Sequence, residues 1–325
     1  MKRILVTGAL GQIGTELVDL LRKTYGISNV IATDIRESKN AREKGPFELL
    51  DVTDEKSFAL IAKRHNVDTM IHLASILSAN AEKNPLSAWN INMSGLWNAL
   101  EVSREMNLQF FTPSSIGAFG QLAPKENTPQ VTIQRPITIY GINKVAGELL
   151  CDYYFMRYGL DTRGIRFPGL ISYVTPPGGG TTDYAVEIYH EAINSKKYIS
   201  YIRKGTYLDM MYMPDALHAI IELMETNPEN LVHRNAYNIS AFSAAPENFA
   251  ESIRQHIPDF TLDYNVDPVR QKVAESWPNH LDCTAAKEEW GFKANYDLEK
   301  VTEDMLKNIS REERLLKSVN AYKKR

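Results

Sequence analysis

Two side chains whose types and spacing allow proton transfer lie in the segment "IYGINKVAGE". Tyr140 and Lys144 are four residues apart, so a helix through this segment places both on one face. A free phenol, with a pKa near ~10, is a poor base at neutral pH. A neighbouring positive charge favours the phenolate and brings it into range for proton transfer. The spacing is common by chance, so the surrounding motifs must decide its meaning.

A glycine turn near the N-terminus predicts a phosphate-binding site. The stretch "TGALGQIG" places Gly8, Gly11 and Gly14 between a predicted strand, "RILVTG", and a predicted helix, "GTELVDLLRKTYG". The first glycine makes the turn, the next lets backbone approach a pyrophosphate, and the third allows close packing of helix on strand. The helix N-terminus adds its partial positive charge. The turn therefore predicts a dinucleotide cofactor.

An acidic residue after the second predicted strand indicates which dinucleotide binds. Asp34 follows "VIAT" at the distance where an acid meets the adenosine ribose hydroxyls. A carboxylate there accepts hydroxyl hydrogen bonds and repels a 2′-phosphate. Arg36 is a counter-argument, because arginine can accommodate that phosphate, but Asp34 has the better position. We therefore expect NAD rather than NADP.

Strands and helices alternate through the first half of the chain. The predicted strands "NVIATD", "VDTMIHLA" and "QFFTPSS" are separated by the predicted helices "KSFALIAKRH" and "LSAWNINMSGLWNALEVSREM", and a helix through Tyr140 precedes the predicted strand "DTRGIRFPGLI". Such alternation favours parallel pairing with right-handed crossovers. It predicts an α/β fold with a doubly wound parallel Rossmann sheet over residues 1–170. Residues 171–325 are then expected to form a smaller, interleaved substrate-binding lobe beside a cleft.

Composition excludes several classes of protein. The 325 residues are 43% apolar and 24% charged, with a net charge of −3, which argues weakly against nucleic acid. No apolar run approaches the ~20 residues of a membrane helix. Cys151 and Cys283 lie far apart and form no metal-like pair, so we expect a reduced chain and no metal site. The absence of a targeting segment favours the cytoplasm.

The glycine spacing G-x-x-G-x-x-G and the turn "FTPSSIGAFG" resemble the extended short-chain dehydrogenase/reductase family, which is NAD-dependent and epimerase/dehydratase-like. In that family the second serine hydrogen-bonds the reacting oxygen, which implies Ser115 here, with Ser114 as the runner-up. "LLDVTD" resembles the adenine-side turn and "HLAS" the strand end beneath the cofactor. His72 lies in an apolar strand end, so we expect a satisfied core histidine or a cofactor-wall histidine rather than a base. The expected cofactor-binding residues are Gly8, Gly11, Gln12, Ile13, Gly14, Asp34, Ile35, Arg36, Asp51, Val52, Leu73, Ala74, Ser75, Asn92, Tyr140, Lys144, Phe167 and Leu170.

Two departures argue against nucleotide sugars, the usual substrates of this family. Its dehydratases carry an Asp-Glu pair where this chain has Ile116 and Gly117. Its nucleotide-sugar enzymes tend to carry a diphosphate-binding arginine where this chain has Leu208. A nucleotide-sugar 4-epimerase stays as an alternative. So does a non-catalytic NAD-sensing relative, although it would be expected to lose Tyr140 or Lys144.

Several segments are similar to the short-chain L-threonine 3-dehydrogenases within the family. The most specific are "RFPGLISYVTPPGGGTTDYAVEIYHEA" and "SWPNHLD", and the similarity extends from Lys2 to about Asn308. It implies oxidation of the β-hydroxyl of L-threonine by NAD⁺, giving 2-amino-3-oxobutanoate, in threonine catabolism. It also implies a homodimer built from helices that flank the tyrosine.

The glycine run "PPGGGTTDY" is then the expected amino-acid-binding loop, with prolines that stiffen its approach. Its amides and hydroxyls could hold a carboxylate at a helix N-terminus, although a simple bend stays an alternative. Asp183 has a second interpretation, as the residue that starts a helix at Tyr184, and Trp277 either covers the substrate methyl group or packs within the lobe. The expected substrate-binding residues are Ser78, Ser115, Tyr140, Gly179, Gly180, Thr181, Thr182, Asp183 and Trp277.

Overall fold

The computed structural model describes residues 1–175 and 178–323, with side chains described as far as Arg311. The two prolines of the glycine run, Pro176 and Pro177, lie outside the described residues. The described strands are β1 Ile4–Thr7, β2 Val30–Asp34, β3 Phe47–Leu49, β4 Thr69–His72, β5 Gln109–Ser115, β6 Thr162–Phe167, β7 Gly169–Ile171, β8 Lys197–Ser200, β9 Leu208–Tyr212, β10 Tyr237–Asn238, β11 Phe242–Ala244 and β12 Thr261–Tyr264.

The helices alternate with these strands. They are α1 Gln12–Tyr25, α2 Lys39–Lys44, α3 Glu55–Arg64, α4 Ser78–Lys83, α5 Pro85–Trp89, α6 Gly95–Met106, α7 Ile139–Tyr158, α8 Tyr184–Asn194, α9 Met213–Glu225, α10 Pro246–Arg254, α11 Pro268–Glu275, α12 Thr284–Trp290 and α13 Leu298–Lys323. A π-helical turn, Asn90–Ser94, joins α5 to α6, so the long helix predicted there is continuous but locally wider.

A parallel sheet forms the centre of the molecule. Within the described residues it has seven strands, in the order β10-β6-β5-β4-β1-β2-β3. β1 pairs in parallel with β2 on one side and β4 on the other, with Ile4 opposite Val30 and Thr69. Because the strand order reverses beside β1, the connections that follow β1 and β4 leave towards opposite faces of the sheet, and a crevice opens at the carboxyl ends of these strands. The predicted doubly wound fold is confirmed.

Helix α1 is positioned by the glycine turn and by its apolar face. Leu17 and Leu21 are fully buried against the sheet, which follows from their four-residue spacing. Gly11 at the N-cap gives the helix no side-chain cap, so its first amides face the crevice. Gly26 ends the helix with φ at 94°, a conformation that favours glycine.

Helix α7 begins at Ile139, one residue before Tyr140. The side chain of Thr138 caps it by accepting a hydrogen bond from the amide of Gly141 at 3.1 Å, a contact typically worth ~1 kcal/mol. Tyr140 is consequently in the first turn, where its position relative to the end of β5 is well determined. Gly159, at φ 69°, ends the helix.

The single strand predicted over "DTRGIRFPGLI" is wrong, because the structure divides it into two strands in different sheets. β6 pairs with β5 in the central sheet, whereas β7 pairs with β9 in a second sheet ordered β11-β9-β7. Pro168 lies between them. Proline cannot donate to a strand ladder, so pairing stops there and the chain changes sheet.

The rest of the chain packs around this second sheet and returns to the first. β8 and β12 form a two-stranded parallel pair, and β10 comes back to pair with β6 at the edge of the central sheet. Met210, Met211 and Met213 are fully buried, as expected for flexible core filling. Among the described residues, no helix is both long and apolar enough to cross a bilayer.

Candidate active site

A cleft of about 200 Å³ lies at the carboxyl ends of the central strands and opens to solvent. We call it the catalytic cleft. The end of β5 and the start of α7 form one wall, and the segment that follows β6 forms another. Its lining residues are Gly8, Gly11, Gln12, Ile13, Gly14, Leu73, Ser75, Leu77, Ser78, Pro113, Ser114, Ser115, Ile116, Tyr140, Lys144, Phe167, Pro168, Gly169, Leu170, Gly180, Thr181, Thr182, Asp183 and Trp277.

Tyr140 and Ser115 meet in this cleft. The Tyr140 ring and Ser115 Oγ both lie beside Gly117, and Ser115 Oγ accepts a hydrogen bond from the amide of Gly117 at 3.0 Å. Burial raises the pKa of Tyr140 to about 12, because it disfavours the phenolate, and the neighbouring Ser115 hydroxyl only partly offsets this effect. The expected lowering of the tyrosine pKa is therefore not achieved by these side chains alone.

Lys144 lies one turn further along α7, as its spacing predicts. Its Nζ donates to the carbonyl of Pro113 at 2.7 Å and lies 5.3 Å from the centroid of the Tyr140 ring. Burial lowers the pKa of Lys144 to about 8, while the charge of Glu148 acts in the opposite direction. The ammonium is thus held beside the tyrosine by a backbone carbonyl.

Ser114 and Ser115 face different partners because successive side chains of a strand point to opposite faces. Ser114 Oγ donates to the buried carboxylate of Glu148, whereas Ser115 points to Tyr140. The geometry favours Ser115 as the hydroxyl partner of the reacting oxygen. Ser114, the second candidate for this role, lines the cleft, but its hydroxyl already donates a hydrogen bond to Glu148.

The N-terminal glycine turn fits a pyrophosphate. Gly8 has φ +66°, and a Cβ there would lie 2.8 Å from the amide nitrogen of Ala74. A Cβ on Gly14 would lie 2.3 Å from the carbonyl oxygen of Gly8, so α1 can approach β1 this closely only with glycine. The uncapped N-terminus of α1 then faces the cleft, as an anionic ligand requires.

A second cleft continues from the glycine turn towards β2 and β3. Asp34 lines it; its Oδ2 accepts from the amide of Leu10 at 3.0 Å and its Oδ1 from Arg36 Nε at 3.0 Å. Arg36 is thus paired with Asp34, which limits its reach towards a 2′-phosphate. The other predicted adenosine-side residues, Ile35, Asp51, Val52 and Ala74, line the same cleft. The two clefts together fit an extended dinucleotide whose adenosine ribose lies at Asp34.

Asn92 is the predicted cofactor residue that lines neither of these two clefts. Its Oδ1 accepts from the amide of Ile76 at 2.7 Å and from Ser75 Oγ at 3.2 Å, and its Nδ2 donates to Asn143 Oδ1 at 3.2 Å. The side chain lines a small internal cavity behind Lys144. In the structure Asn92 therefore shapes the loop that follows β4.

Residues 180–183 of the glycine run line the catalytic cleft, and the run has an unexpected internal partner. The amides of Gly179 and Gly180 both donate to Oδ2 of Asp183, at 2.8 and 2.7 Å. Asp183 begins α8 as expected, but its side chain makes no cap bond and turns back to the glycines. The amides expected to hold a substrate carboxylate are thus bound to a carboxylate of the chain itself, and Thr181 and Thr182 stand in the cleft.

Trp277 and Ser78 line the same cleft. Trp277 is buried, between α11 and the segment that continues to Leu281, and both residues line the cleft as predicted. His72 is buried behind it, where burial lowers its pKa to about 3 and Thr7 Oγ1 contacts its Nδ1 at 2.9 Å. A neutral wall histidine agrees with its interpretation from sequence.

Several residues of the site were not singled out by sequence reasoning. Pro168 and Gly169 line the cleft because the chain changes sheet there, and Asn80 holds the glycine run by donating to the carbonyl of Gly178 at 3.2 Å. Glu148 lies four residues after Lys144, a spacing that places it on the same helical face as Lys144. That spacing is the signal that could have identified it.

Comparison with known proteins agrees with this geometry. Residues 4–240 match the model of the NAD dependent epimerase/dehydratase family, and the chain belongs to that family. It is 59% identical over 316 residues to an uncharacterized epimerase/dehydratase of Staphylococcus saprophyticus, a match that covers 97% of this chain and 99% of the relative.

Solved structures give a second set of relatives. The structure of L-threonine dehydrogenase from Clostridium difficile is 60% identical, with a TM-score of 0.95, and the match covers 96% of this chain and 98% of that one. A monomeric L-threonine 3-dehydrogenase from a metagenome is 44% identical, with a TM-score of 0.92, over 95% of this chain and 99% of that one. The family and the glycine turn together indicate an NAD-dependent enzyme.

Proposed function

We propose that this protein oxidises the β-hydroxyl of L-threonine with NAD⁺ and releases 2-amino-3-oxobutanoate. The observation that carries the proposal is the 60% identity to the Clostridium difficile threonine dehydrogenase, which extends over nearly the whole of both chains. The catalytic cleft supports it, because a tyrosine, a serine and a lysine converge where a small hydroxyl substrate has room.

Each polar residue has a distinct role in this proposal. Tyr140 removes the proton from the β-hydroxyl, and Ser115 hydrogen-bonds the same oxygen and fixes its position. Lys144, held by the carbonyl of Pro113, keeps a positive charge next to the phenol. NAD⁺, when bound, supplies the hydride acceptor and a positive ring that favours the phenolate. Because burial raises the pKa of Tyr140, its phenol can act in the proton transfer only while the positive charges of Lys144 and of the nicotinamide ring are nearby.

The glycine run and the segment around Trp277 hold the amino acid in this proposal. Thr181 and Thr182 line the cleft and offer hydroxyls to the substrate, and the indole of Trp277, which lines the same cleft, excludes water. Asp183 has two available roles: it holds the glycine run, and its carboxylate offers a partner for the substrate ammonium. Residues 171–325 would accordingly act as the substrate-binding lobe.

An assay of NADH formation tests the activity directly. Purified protein with NAD⁺ and L-threonine should give a threonine-dependent rise in NADH absorbance. Tyr140→Phe should reduce kcat by about 10²- to 10⁴-fold, because it removes the general base. Tyr207→Phe, at an exposed tyrosine that does not line the cleft, is the matched control and should leave the rate unchanged.

Two outcomes of this assay would contradict the proposal in different ways. The absence of threonine-dependent NADH, together with turnover of a nucleotide sugar, would replace the substrate. A wild-type rate in Tyr140→Phe would leave the activity in place and remove Tyr140 from the mechanism.

We also propose that the protein is a homodimer. Trp97 of α6 and Ile142, Leu149, Tyr153 and Met156 of α7 are exposed. The α7 residues follow one another at intervals of seven, four and three, so they form an apolar stripe along one face. An exposed stripe of this kind is typical of a helix that packs against another copy.

The reduced state of both cysteines agrees with a cytoplasmic protein. Cys151 and Cys283 are buried and unbridged. Disulfides are rare in reducing compartments, so we propose the cytoplasm as its location.

A further inference from the structure

Glu148 is a buried carboxylate on the helix that carries the catalytic pair. It follows Lys144 by four residues on α7, and its side chain is 5% exposed. Glu148 and Lys144 line the same small internal cavity, together with His72 and Cys151. A charge taken out of water costs free energy unless it is paired and fully hydrogen-bonded. The position of this carboxylate therefore needs a reason beyond packing.

The carboxylate is held on both oxygens. Oε1 accepts from Ser114 Oγ and from Arg166 Nε at 3.0 Å, and Oε2 accepts from Arg166 Nη2 and from Gln134 Nε2, each at 2.8 Å. The contact with Arg166 is bidentate, the geometry that arginine and carboxylate prefer. Glu148 thus has a single, well-defined orientation.

Arg166 is itself fixed from the far side. Its Nη1 donates to the carbonyl of Gln130 at 2.7 Å and to Asn238 Oδ1 at 3.0 Å, and its guanidinium lies 5.1 Å from the centroid of the Phe119 ring. Strand β6 and the returning strand β10 therefore clamp the arginine. The carboxylate cannot turn away from α7 without breaking several buried hydrogen bonds.

The charged and titratable groups around Lys144 come from three elements. From α7 these are Tyr140, Glu148, Cys151 and Asp152; from β4, His72; and from β6, behind Glu148, Arg166. Burial keeps His72 neutral by lowering its pKa to about 3, and burial raises the pKa of the Cys151 thiol. Burial also raises the pKa of Asp152, which faces Glu148 and Arg166.

Glu148 supplies the main negative charge that acts on Lys144 in this surrounding. Burial lowers the pKa of Lys144 to about 8, and the charge of Glu148 is the first of the effects that oppose it. Removal of that charge would lower the lysine pKa further, so the ammonium would be lost at a lower pH.

We propose that Glu148 is a positioning residue for the catalytic pair: clamped by Arg166, it keeps Lys144 in its ammonium form and binds Ser114, so that Ser115 alone serves the reacting oxygen. This inference rests on the proposed roles of Tyr140 and Lys144. It does not depend on the identity of the substrate, because the titration of Lys144 can be measured without one.

The test measures the titration of Lys144 directly. Protein labelled with ¹³C at lysine Cε is titrated across neutral and alkaline pH, with the Lys144 signal assigned from its loss in Lys144→Met. We expect Glu148→Gln to lower the midpoint by about 1 pH unit. Glu148→Asp, which keeps the charge, should have a midpoint close to the wild-type value. An unchanged midpoint in Glu148→Gln would overturn the proposal.

Asp161→Asn is the matched control for the loss of a buried ion pair. Asp161 pairs with Arg163 at 2.7 Å and with Arg234 at 2.8 Å at the opposite end of β6. This variant should lower thermal stability and leave the Lys144 midpoint in place. If it moves the midpoint as far as Glu148→Gln does, a general loss of packing explains the effect and the inference is wrong.

A second variant tests the same charge when Glu148→Gln does not fold. Arg166→Gln leaves the carboxylate facing Lys144 without its guanidinium partner, so the midpoint should rise. A fall would contradict the proposal, as would a failure of both variants to fold, which would assign the pair to the fold alone.

The pH profile of kcat/KM gives an independent readout in the active enzyme. Because Lys144 must stay charged for activity, the alkaline limb of the kcat/KM profile should move to lower pH in Glu148→Gln. The movement should equal the change in the NMR midpoint. A uniform fall in rate with no movement of the limb would assign Glu148 a purely structural role.

Discussion

The side chain of Asp183 determines which groups of the glycine run are available to a ligand. Its carboxylate accepts the amides of Gly179 and Gly180, so the glycine run is held by a contact within the chain. A substrate carboxylate must either displace that contact or bind to the neighbouring hydroxyls. In the proposed function, the hydroxyls of Thr181 and Thr182 are therefore the more direct partners for that carboxylate.

At this scale, Thr182→Val tests the proposed carboxylate contact. Valine keeps the shape of threonine and removes the hydroxyl, and a hydrogen bond to a charged group contributes roughly 1.5–3 kcal/mol. We expect KM for threonine to rise about tenfold or more while NAD⁺ affinity is unchanged, measured by steady-state kinetics and by titration with NAD⁺. Thr226→Val, at the remote end of α9, is the control. An unchanged KM would exclude Thr182 from substrate binding.

Two elements set the geometry of the cofactor site, the β1–α1 turn and helix α7. The turn depends on close approach of α1 to β1, and α7 depends on its cap at Thr138. The close approach of α1 to β1 and the cap of α7 are both local, because each uses residues that are close in sequence. A change in either should disturb one element without unfolding the rest.

The element-scale prediction concerns Gly14→Ala. A Cβ would lie 2.3 Å from the carbonyl oxygen of Gly8, so the start of α1 must move away from the turn. We expect NAD⁺ affinity to fall more than tenfold in a calorimetric titration, because the helix N-terminus no longer meets the pyrophosphate. Gly159→Ala, where a Cβ would have open space but φ is +69°, should destabilise the protein and leave NAD⁺ affinity intact. Retained affinity in Gly14→Ala would show that the turn tolerates the displacement.

The whole molecule places an exposed apolar stripe on the helix that also carries Tyr140. Dimerisation through α6 and α7 would stiffen the catalytic helix from outside, while Glu148 and Arg166 hold it from inside. The monomeric relative among the solved structures makes the oligomeric state a question for measurement.

The assembly prediction uses two leucines of equal exposure. Leu149, on the stripe, is 62% exposed and Leu60, on α3, is 61% exposed. Light scattering after size exclusion should give a dimer mass for the wild type and for Leu60→Glu, and a monomer mass for Leu149→Glu, because a charge in the centre of an apolar interface opposes association. A wild-type monomer, or a dimer in both variants, would contradict the proposed interface.

The sequence by itself determined the features that rest on short-range periodicity. Alternating strands and helices predicted the parallel sheet, the glycine spacing predicted the turn before α1, and the four-residue interval placed Tyr140 and Lys144 on one face. These predictions succeed because backbone geometry repeats within a few residues, so residue type and spacing carry the information.

Only the tertiary structure decided which polar groups meet across the fold. Ser114 binds Glu148, which is 34 residues away, and Arg166 reaches Asn238, which is 72 residues away. The division of one predicted strand at Pro168 also depends on which sheet each half joins. Such contacts depend on how distant elements pack, and neither spacing nor composition specifies that packing.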